Sequence, residues 1–261
     1  MVDALYWSAS SLSIDTGDPA EGRICAAIWP THSLNSRERW FDELSLWPDG
    51  FEPSPAQRAQ MQLFALELAL KILADNHSNQ LAITLSFGTV ERCLHHLAEA
   101  LETHAPDSAR LLILLRGSFE RLRDTCRLLA FVEFLRGVKM PVGYYLTAPH
   151  VCGELKALGF LQPDFAKVAA PTSTRIERWE DLALETGVAG VPLERLIVAR
   201  LQTQQQLTCA RLVGMPFGQG GAIAPAHAPP GDESLEGATS PVADSIDLGG
   251  ALRQFGDGPT L

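Results

Sequence analysis

Acidic side chains are scarce where this sequence could support hydrolysis. Asp42 and Glu43, adjacent in a stretch of strand length, are the exception, and the carboxyl ends of the other predicted strands carry almost no carboxylates. A centre that activates water with divalent cations needs several anionic oxygens to hold the charge. One or two carboxylates do not meet this need, so we predict no catalytic residues, no metal centre and no cofactor.

Other motifs of catalysis are also missing. There is neither a G-x-S-x-G elbow for a nucleophilic serine nor a G-x-x-x-x-G-K-[ST] phosphate loop. Gly218-Gln219-Gly220 matches only a fragment of a phosphate-binding loop, and a tight turn is the preferred interpretation. The five cysteines are widely spaced, without a C-x-x-C pair, which indicates reduced, buried thiols rather than disulfides or a zinc site.

Charge and hydropathy exclude several functional classes. The 261 residues include 21 Lys+Arg against 31 Asp+Glu, a formal charge of -10. An acidic surface repels phosphate backbones, so we predict no nucleic-acid partner. The apolar runs, such as 111–115, are far shorter than the roughly 20 residues of a bilayer helix. Residues 1–4 show no basic region before an apolar run, so no secretory signal is predicted. We expect a cytoplasmic protein without membrane insertion.

Patterns typical of strands and helices alternate through most of the chain. The strands are predicted at 23–29 (ended by Pro30), 40–46, 81–85, 111–115, 138–146, 165–169 and 195–201. The helices are predicted at 90–102, 118–137, 151–158, 176–185 and 204–213, with one more beginning at the capping sequence Ser54-Pro55-Ala56-Gln57. This alternation predicts an α/β TIM-type (β/α)8 barrel, with an open doubly wound sheet as the alternative.

The last forty residues differ in composition from the rest. They are rich in Gly, Pro, Ser and Ala, with six acids and one base, Arg253. Such a segment buries too little apolar surface to offset the entropy of ordering it. We therefore divide the chain into an N-terminal extension (1–22), a barrel domain (23–225) and a disordered acidic tail (226–261). Within the tail, the spaced apolar residues of 245–255 are either a short docking segment or incidental.

Several segments, taken in order between residues 23 and 225, resemble the EAL domain, the bacterial phosphodiesterase family that acts on cyclic di-guanosine monophosphate. They are Trp29-Pro30-Thr31 (family Gln-Pro-Ile), 42–47 before a Pro-Asp-Gly turn (Glu-Ala-Leu and Leu-Arg-Trp), Thr84-Leu85-Ser86 (Asn-Leu-Ser), 114–117 (Glu-Ile-Thr-Glu), 143–146 (Asp-Asp-Phe-Gly), Lys167-Val168-Ala169 (Lys-Ile-Asp), 198–206 (Ala-Glu-Gly-Val-Glu and the residues after it), and Gln219-Gly220 with Pro225 (Gln-Gly and Pro). The first acid of the family matches Asp42 without a gap and Glu43 if one residue is deleted.

The departures from the family pattern bear on activity. The resemblance implies a barrel whose metal ligands are replaced, at the matching positions, by Thr84, Leu114, Gly143, Tyr144, Ala199 and Gln202. It also implies Leu46 in place of a phosphate-binding arginine and Trp29 in place of a glutamine. Of the family's charged site residues, only the first acid and Lys167 persist.

Two functions follow from the resemblance. The first is a catalytically inactive regulatory module of bacterial cyclic di-GMP signalling that acts through protein partners, with a homodimer left open. The alternative is a non-hydrolysing cyclic di-GMP receptor, or, less favoured, a weak phosphodiesterase. The nucleotide-binding residues that the family match implies are Lys167, Gln219, Trp29, Asp42 and Glu43. Since one lysine would face two phosphates, the sequence predicts weak or absent binding of the dinucleotide.

Overall fold

The computed structural model describes residues 5–8, 23–75, 77–147 and 152–230. Its strands are β1 (Leu5–Ser8), β2 (Arg23–Ser33), β3 (Arg39–Asp49), β4 (Leu81–Ser86), β5 (Leu111–Arg116), β6 (Val142–Leu146), β7 (Phe165–Ala169), β8 (Leu196–Ala199) and β9 (Phe217–Gln219). Its α-helices are α1 (Pro55–Ala74), α2 (Phe87–Thr103), α3 (Ala105–Ser108), α4 (Thr125–Gly137), α5 (Cys152–Leu161), α6 (Ile176–Val188) and α7 (Gln204–Leu212).

Strands β2 to β9 form a closed barrel. Neighbouring strands pair in chain order, and β9 returns to pair with β2, with Thr31 opposite Gln219. The predicted TIM-type barrel is therefore confirmed, and the open doubly wound sheet is wrong. Strand β2 runs antiparallel to β3 and β9, whereas β3 to β9 pair in parallel. The 34–38 connection between β2 and β3 is too short for a parallel crossover, so these two strands form a hairpin.

Side chains alternate between the two faces of the barrel wall. One face packs against the helices in a large apolar cluster that includes Ile83 and Leu85. The other face encloses a second, smaller apolar cluster of Phe41, Ala82, Leu112, Leu114, Phe165 and Ile197. Because successive strand residues point to opposite faces, this second cluster fills the barrel interior. The space left for a site is at the carboxyl ends of the parallel strands.

The capping sequence before α1 acts as predicted. The side chain of Ser54 accepts a hydrogen bond from the backbone N–H of Gln57, and the Gln57 side chain accepts one from the backbone N–H of Ser54 at 2.6 Å. Pro55 occupies the first turn, where its missing N–H leaves no helical hydrogen bond unmade. This end of the helix is fixed by local sequence.

The prediction that Pro30 ends the first strand is wrong, because β2 continues to Ser33. The backbone N–H of Ile28 donates to the carbonyl of His227. Two residues later the nitrogen of Pro30 faces the same edge of β2, between this contact and the start of the β9 ladder at Thr31. A proline at that place removes no ladder hydrogen bond.

Three other predicted boundaries are also corrected. Ser118 caps a 3-10 turn, and α4 begins only at Thr125, where the Asp124 side chain accepts hydrogen bonds from two backbone N–H groups. Strand β6 begins at Val142 instead of residue 138. Gly218 and Gln219 form the closing strand instead of a turn. A Cβ on Gly218 would lie 2.7 Å from two leucine side chains, so the need for glycine there comes from packing.

Other sequence expectations have mixed outcomes. Cys25, Cys93 and Cys209 are free and buried as expected, but Cys126 is exposed on α4. No helix in the described part of the chain has the length and apolar character needed to cross a membrane. Residues 226–230 lie along the barrel through the pairing of Ile28 with His227. The rest of the predicted tail, including 245–255, and most of the N-terminal extension lie outside the described residues. The division into domains therefore stays a prediction.

Candidate ligand-binding site

A cleft of about 710 Å³ opens at the carboxyl ends of the barrel strands. Trp29, Glu43, Lys167 and Gln219 line it, so four of the five residues implied by the resemblance come together there. The first turns of α1 and the segment after β3 form one wall. Clefts of this size, with a few convergent polar groups, are typical of ligand sites.

Glu43 and Lys167 form a buried ion pair at the base of this cleft. The Lys167 ammonium donates a hydrogen bond to Oε2 of Glu43, and both side chains are almost fully buried. Gln219 Nε2 donates to the same oxygen at 3.0 Å, and Thr84 Oγ1 donates to Oε1 at 3.2 Å. Both carboxylate oxygens are thus satisfied by the chain itself, as a buried charge requires.

The strand period explains why these four side chains meet. Each lies two positions after an interior residue on its own strand: Glu43 after Phe41, Thr84 after Ala82, Lys167 after Phe165 and Gln219 after Phe217. Side chains two apart on a strand share a face, so the four project into the barrel just above the apolar interior. The apolar layer below gives the polar layer a floor that water does not reach.

Asp42 does not belong to the cleft. It lies one residue before Glu43, so its side chain faces the opposite side of the strand. There it accepts hydrogen bonds from the guanidinium of Arg39 and from Ser78 Oγ, the latter at 2.9 Å. Including Asp42 among the binding residues is therefore wrong, and the position of Glu43 favours the alignment in which one residue is deleted.

Gln219 connects the ion pair to the opening strand. Besides its bond to Glu43, its Nε2 lies 3.1 Å from the carbonyl oxygen of Trp29 and 3.3 Å from Thr31 Oγ1. The Trp29 side chain is half-buried on the cleft wall, where Trp47 and Tyr145 also lie. The cleft therefore presents aromatic rings beside its polar base, and flat rings can stack on such side chains.

Three arginines that sequence reasoning missed also line the cleft: Arg58 on α1, Arg116 at the end of β5 and Arg200 directly after β8. The lining contains four cationic side chains, these three and Lys167, against two carboxylates, Glu43 and Glu52. It is thus net positive in a chain of formal charge -10. The expectation of one lysine with little other cationic support is wrong.

Tyr145 holds two of these cations over its ring. The Arg116 guanidinium carbon lies 5.5 Å and Lys167 Nζ 4.9 Å from the ring centroid. These distances fall within the range of cation–π attraction. Arg116 is exposed, so the ring orients a side chain that would otherwise move freely in solvent.

The side chains at the cleft do not fit a pair of divalent cations. Leu114 and Ala199 offer no donor atoms, and the Phe165 ring fills the space where a Cβ on Gly143 would lie. Tyr144 points away from the cleft, where its hydroxyl donates to the Gly117 carbonyl, and burial raises the pKa of that hydroxyl above its ordinary value. No three His, Cys, Asp or Glu side chains among the described residues form a group that could hold a metal.

No family model matches this sequence, and no curated protein matches it. Solved structures of EAL domains do match the barrel. An EAL domain protein from Listeria monocytogenes matches 86% of this chain over 93% of its own, with 12% identity and a TM-score of 0.60. The fold is that of the EAL domains. The barrel implied by the sequence resemblance is thus confirmed as a fold.

Two other EAL-fold structures contain the cyclic dinucleotide. Vibrio cholerae LapD, an S helix–GGDEF–EAL protein bound to c-di-GMP, matches 76% of this chain with 14% identity and a TM-score of 0.60. Klebsiella pneumoniae BlrP1, in a manganese and c-di-GMP complex, matches 84% with 16% identity and a TM-score of 0.56. The matches cover 52% of the LapD chain and 57% of the BlrP1 chain, so this chain spans little more than half of either.

Proposed function

We propose that this chain is a receptor for cyclic di-guanosine monophosphate that binds the dinucleotide without hydrolysing it. The observation that carries the proposal is the arginine-lined cleft at the carboxyl ends of the strands, formed by Arg58, Arg116 and Arg200. The likeness in fold to two proteins whose structures contain c-di-GMP supports this choice of ligand.

The charges of the cleft suit a ligand with two phosphates. A hydrogen bond between charged groups contributes about 1.5–3 kcal/mol, so two arginines contribute roughly 3–6 kcal/mol where one lysine would give half of that. Micromolar affinity corresponds to about 8 kcal/mol. Stacking of the two bases on Trp29 and Trp47 adds about 1–3 kcal/mol for each base. We therefore expect binding in the micromolar range.

The same cleft does not support hydrolysis. Metal-assisted attack by water needs cations held by several carboxylates. Glu43 is the carboxylate nearest the interior, and Lys167 neutralises it. We infer that the ammonium of Lys167 replaces a bound cation as the partner of this carboxylate, so the ligand is retained intact.

Calorimetry with c-di-GMP in EDTA, repeated in magnesium and in manganese, tests this function. We expect micromolar binding that is the same in all three buffers, and no linear dinucleotide product by chromatography after overnight incubation. Absence of binding at 100-fold higher concentration would contradict the receptor. Formation of product that depends on Glu43 would instead indicate a phosphodiesterase.

A second candidate is the protein-interaction module predicted from the sequence. Leu184 and Val188 lie four residues apart on one face of α6, with exposed fractions of 67% and 82%. Exposed apolar pairs on a helix are common features of interaction surfaces. In pull-downs, Leu184→Ser with Val188→Ser should remove a protein partner, whereas Leu212→Ser, on the equally exposed Leu212 of α7, should not. Light scattering of the same variants separates a homodimer from a different partner.

A further inference from the structure

Arg200 has a backbone conformation that arginine rarely adopts. Its φ is +62°, in the left-handed region where a Cβ is crowded and glycine is favoured. Among the described residues, Arg37, Lys139 and Gln162 are the other non-glycine residues with positive φ, and none of these three lines the cleft. A strained residue at a ligand cleft indicates that its side chain is needed there.

The neighbouring backbone holds Arg200 in this conformation. The next residue, Leu201, donates its N–H to the Gln219 carbonyl at 3.0 Å and accepts a hydrogen bond from Ala222 at 2.9 Å. Gly220 packs so closely on Leu201 that a Cβ there would lie 2.4 Å from the Leu201 oxygen. The closing strand therefore fixes the turn after β8, and the turn directs residue 200 towards the cleft.

Arg116 faces the same cleft from a different direction. It ends β5, separated from β8 by β6 and β7, and the Tyr145 ring orients its guanidinium. In the part of the chain that the structure describes, no carboxylate pairs with Arg116 or Arg200. Lys167, in contrast, already has Glu43 as its partner. Two exposed guanidinium groups without internal partners thus stand on two sides of a positively charged cleft.

We propose that Arg116 and Arg200 form a metal-independent clamp that binds one phosphodiester group each. The identity of the ligand as the cyclic dinucleotide rests on the proposed function, but the clamp itself requires only a molecule with two phosphates. Guanidinium groups bind phosphate oxygens through paired N–H donors, which gives orientation as well as charge. The clamp neutralises the ligand's charge where a divalent cation would otherwise be needed.

Arg200→Gly tests the clamp, because it separates function from stability. Glycine relieves the strain at φ +62°, so we expect an unchanged or higher thermal midpoint together with about 10- to 100-fold weaker binding of c-di-GMP in EDTA. Arg37→Gly is the matched control. Arg37 is an exposed arginine with φ +63°, in the turn between β2 and β3 at the opposite end of the barrel. It should show the same stability effect and unchanged affinity.

Arg116→Gln is the second variant, and it should weaken binding by about 10-fold or more with an unchanged thermal midpoint. If the wild-type chain binds c-di-GMP and both variants bind equally well, the clamp is wrong and the receptor stands. If the wild-type chain binds inorganic pyrophosphate but not c-di-GMP, and the two variants weaken that binding, the clamp stands and the receptor fails. If neither probe binds to the wild-type chain, both proposals fail.

Discussion

The ammonium of Lys167 is hydrogen-bonded to the carboxylate of Glu43 in the mouth of the barrel, although 124 residues separate the two in the chain. Each charge is removed from water, and either one alone would carry a large desolvation cost. The pair therefore holds β3 and β7 in place and leaves neither charge free for a ligand. The cations available to a ligand are those on the rim of the cleft.

Glu43→Gln should tighten the binding of c-di-GMP. The amide keeps the shape of the side chain but removes its negative charge, so the Lys167 ammonium can turn to a phosphate. One additional charge-assisted hydrogen bond corresponds to about a 10-fold lower Kd. Calorimetry in EDTA measures this change, and weaker binding by Glu43→Gln would show that the carboxylate itself serves the ligand.

Asp42→Asn is the matched control for that experiment. Asp42 is the neighbouring acid, but its side chain pairs with Arg39 and Ser78 on the opposite face of β3. We expect unchanged affinity for the dinucleotide. A 10-fold change for Asp42→Asn would mean that the two faces of β3 are assigned the wrong way round.

The stability of the ion pair gives a second prediction. Lys167→Met alone leaves the Glu43 carboxylate buried without its cation, and losses of about 3–5 kcal/mol in the free energy of unfolding are typical of such changes. The double variant Lys167→Met with Glu43→Gln removes both charges and should recover most of that loss. Urea unfolding at pH 7 measures the three free energies. Additive effects of the two substitutions would contradict the pairing.

Much of this architecture could be predicted from local sequence. The apolar runs give most of the strands, and the capping sequence at Ser54 and Gln57 gives the start of α1. The choice between Asp42 and Glu43 could not be made in this way, because two adjacent acids satisfy either face of a strand. Closure of the barrel decides it by placing Glu43 beside Lys167 and Gln219.

The arginines were missed for a different physical reason. Arg116 and Arg200 follow predicted strands, but the search at those ends was for carboxylates and for matches to a family pattern. Arg58 lies in the first turns of α1, far in sequence from any carboxyl end of a strand except that of β3. Tertiary packing brings that helix to the cleft, and no local pattern indicates it.

Gly143→Ala should destabilise the barrel. A Cβ at this position would lie 2.4 Å from the Phe165 ring, which forms part of the interior cluster. Overpacking of this kind costs about 1–3 kcal/mol, because the ring has no free space to enter. Urea unfolding measures the change. The control is Gly137→Ala at the end of α4, where a Cβ meets no atom within 4 Å and stability should stay equal or rise slightly.

Tyr144→Phe should produce a stability difference that depends on pH. In the folded protein the Tyr144 hydroxyl is buried and donates to the Gly117 carbonyl, and burial raises its pKa above the ordinary value of about 10. Below pH 10 tyrosine is neutral in both states, so the hydrogen bond contributes in full, about 1 kcal/mol. Above pH 10 only the unfolded state ionises, so the wild-type chain loses about 1.4 kcal/mol for each further pH unit.

Phenylalanine has no proton to lose, so the variant escapes this part of the alkaline destabilisation. Paired urea unfolding of the wild-type chain and Tyr144→Phe from pH 8 to pH 11 isolates the contribution, because the other titrating groups are common to both. The wild-type advantage should be constant up to about pH 9.5 and then shrink and reverse by pH 11. A difference that stays constant over the whole range would mean that Tyr144 ionises equally easily in the folded and unfolded chains, contrary to its buried position behind the barrel wall.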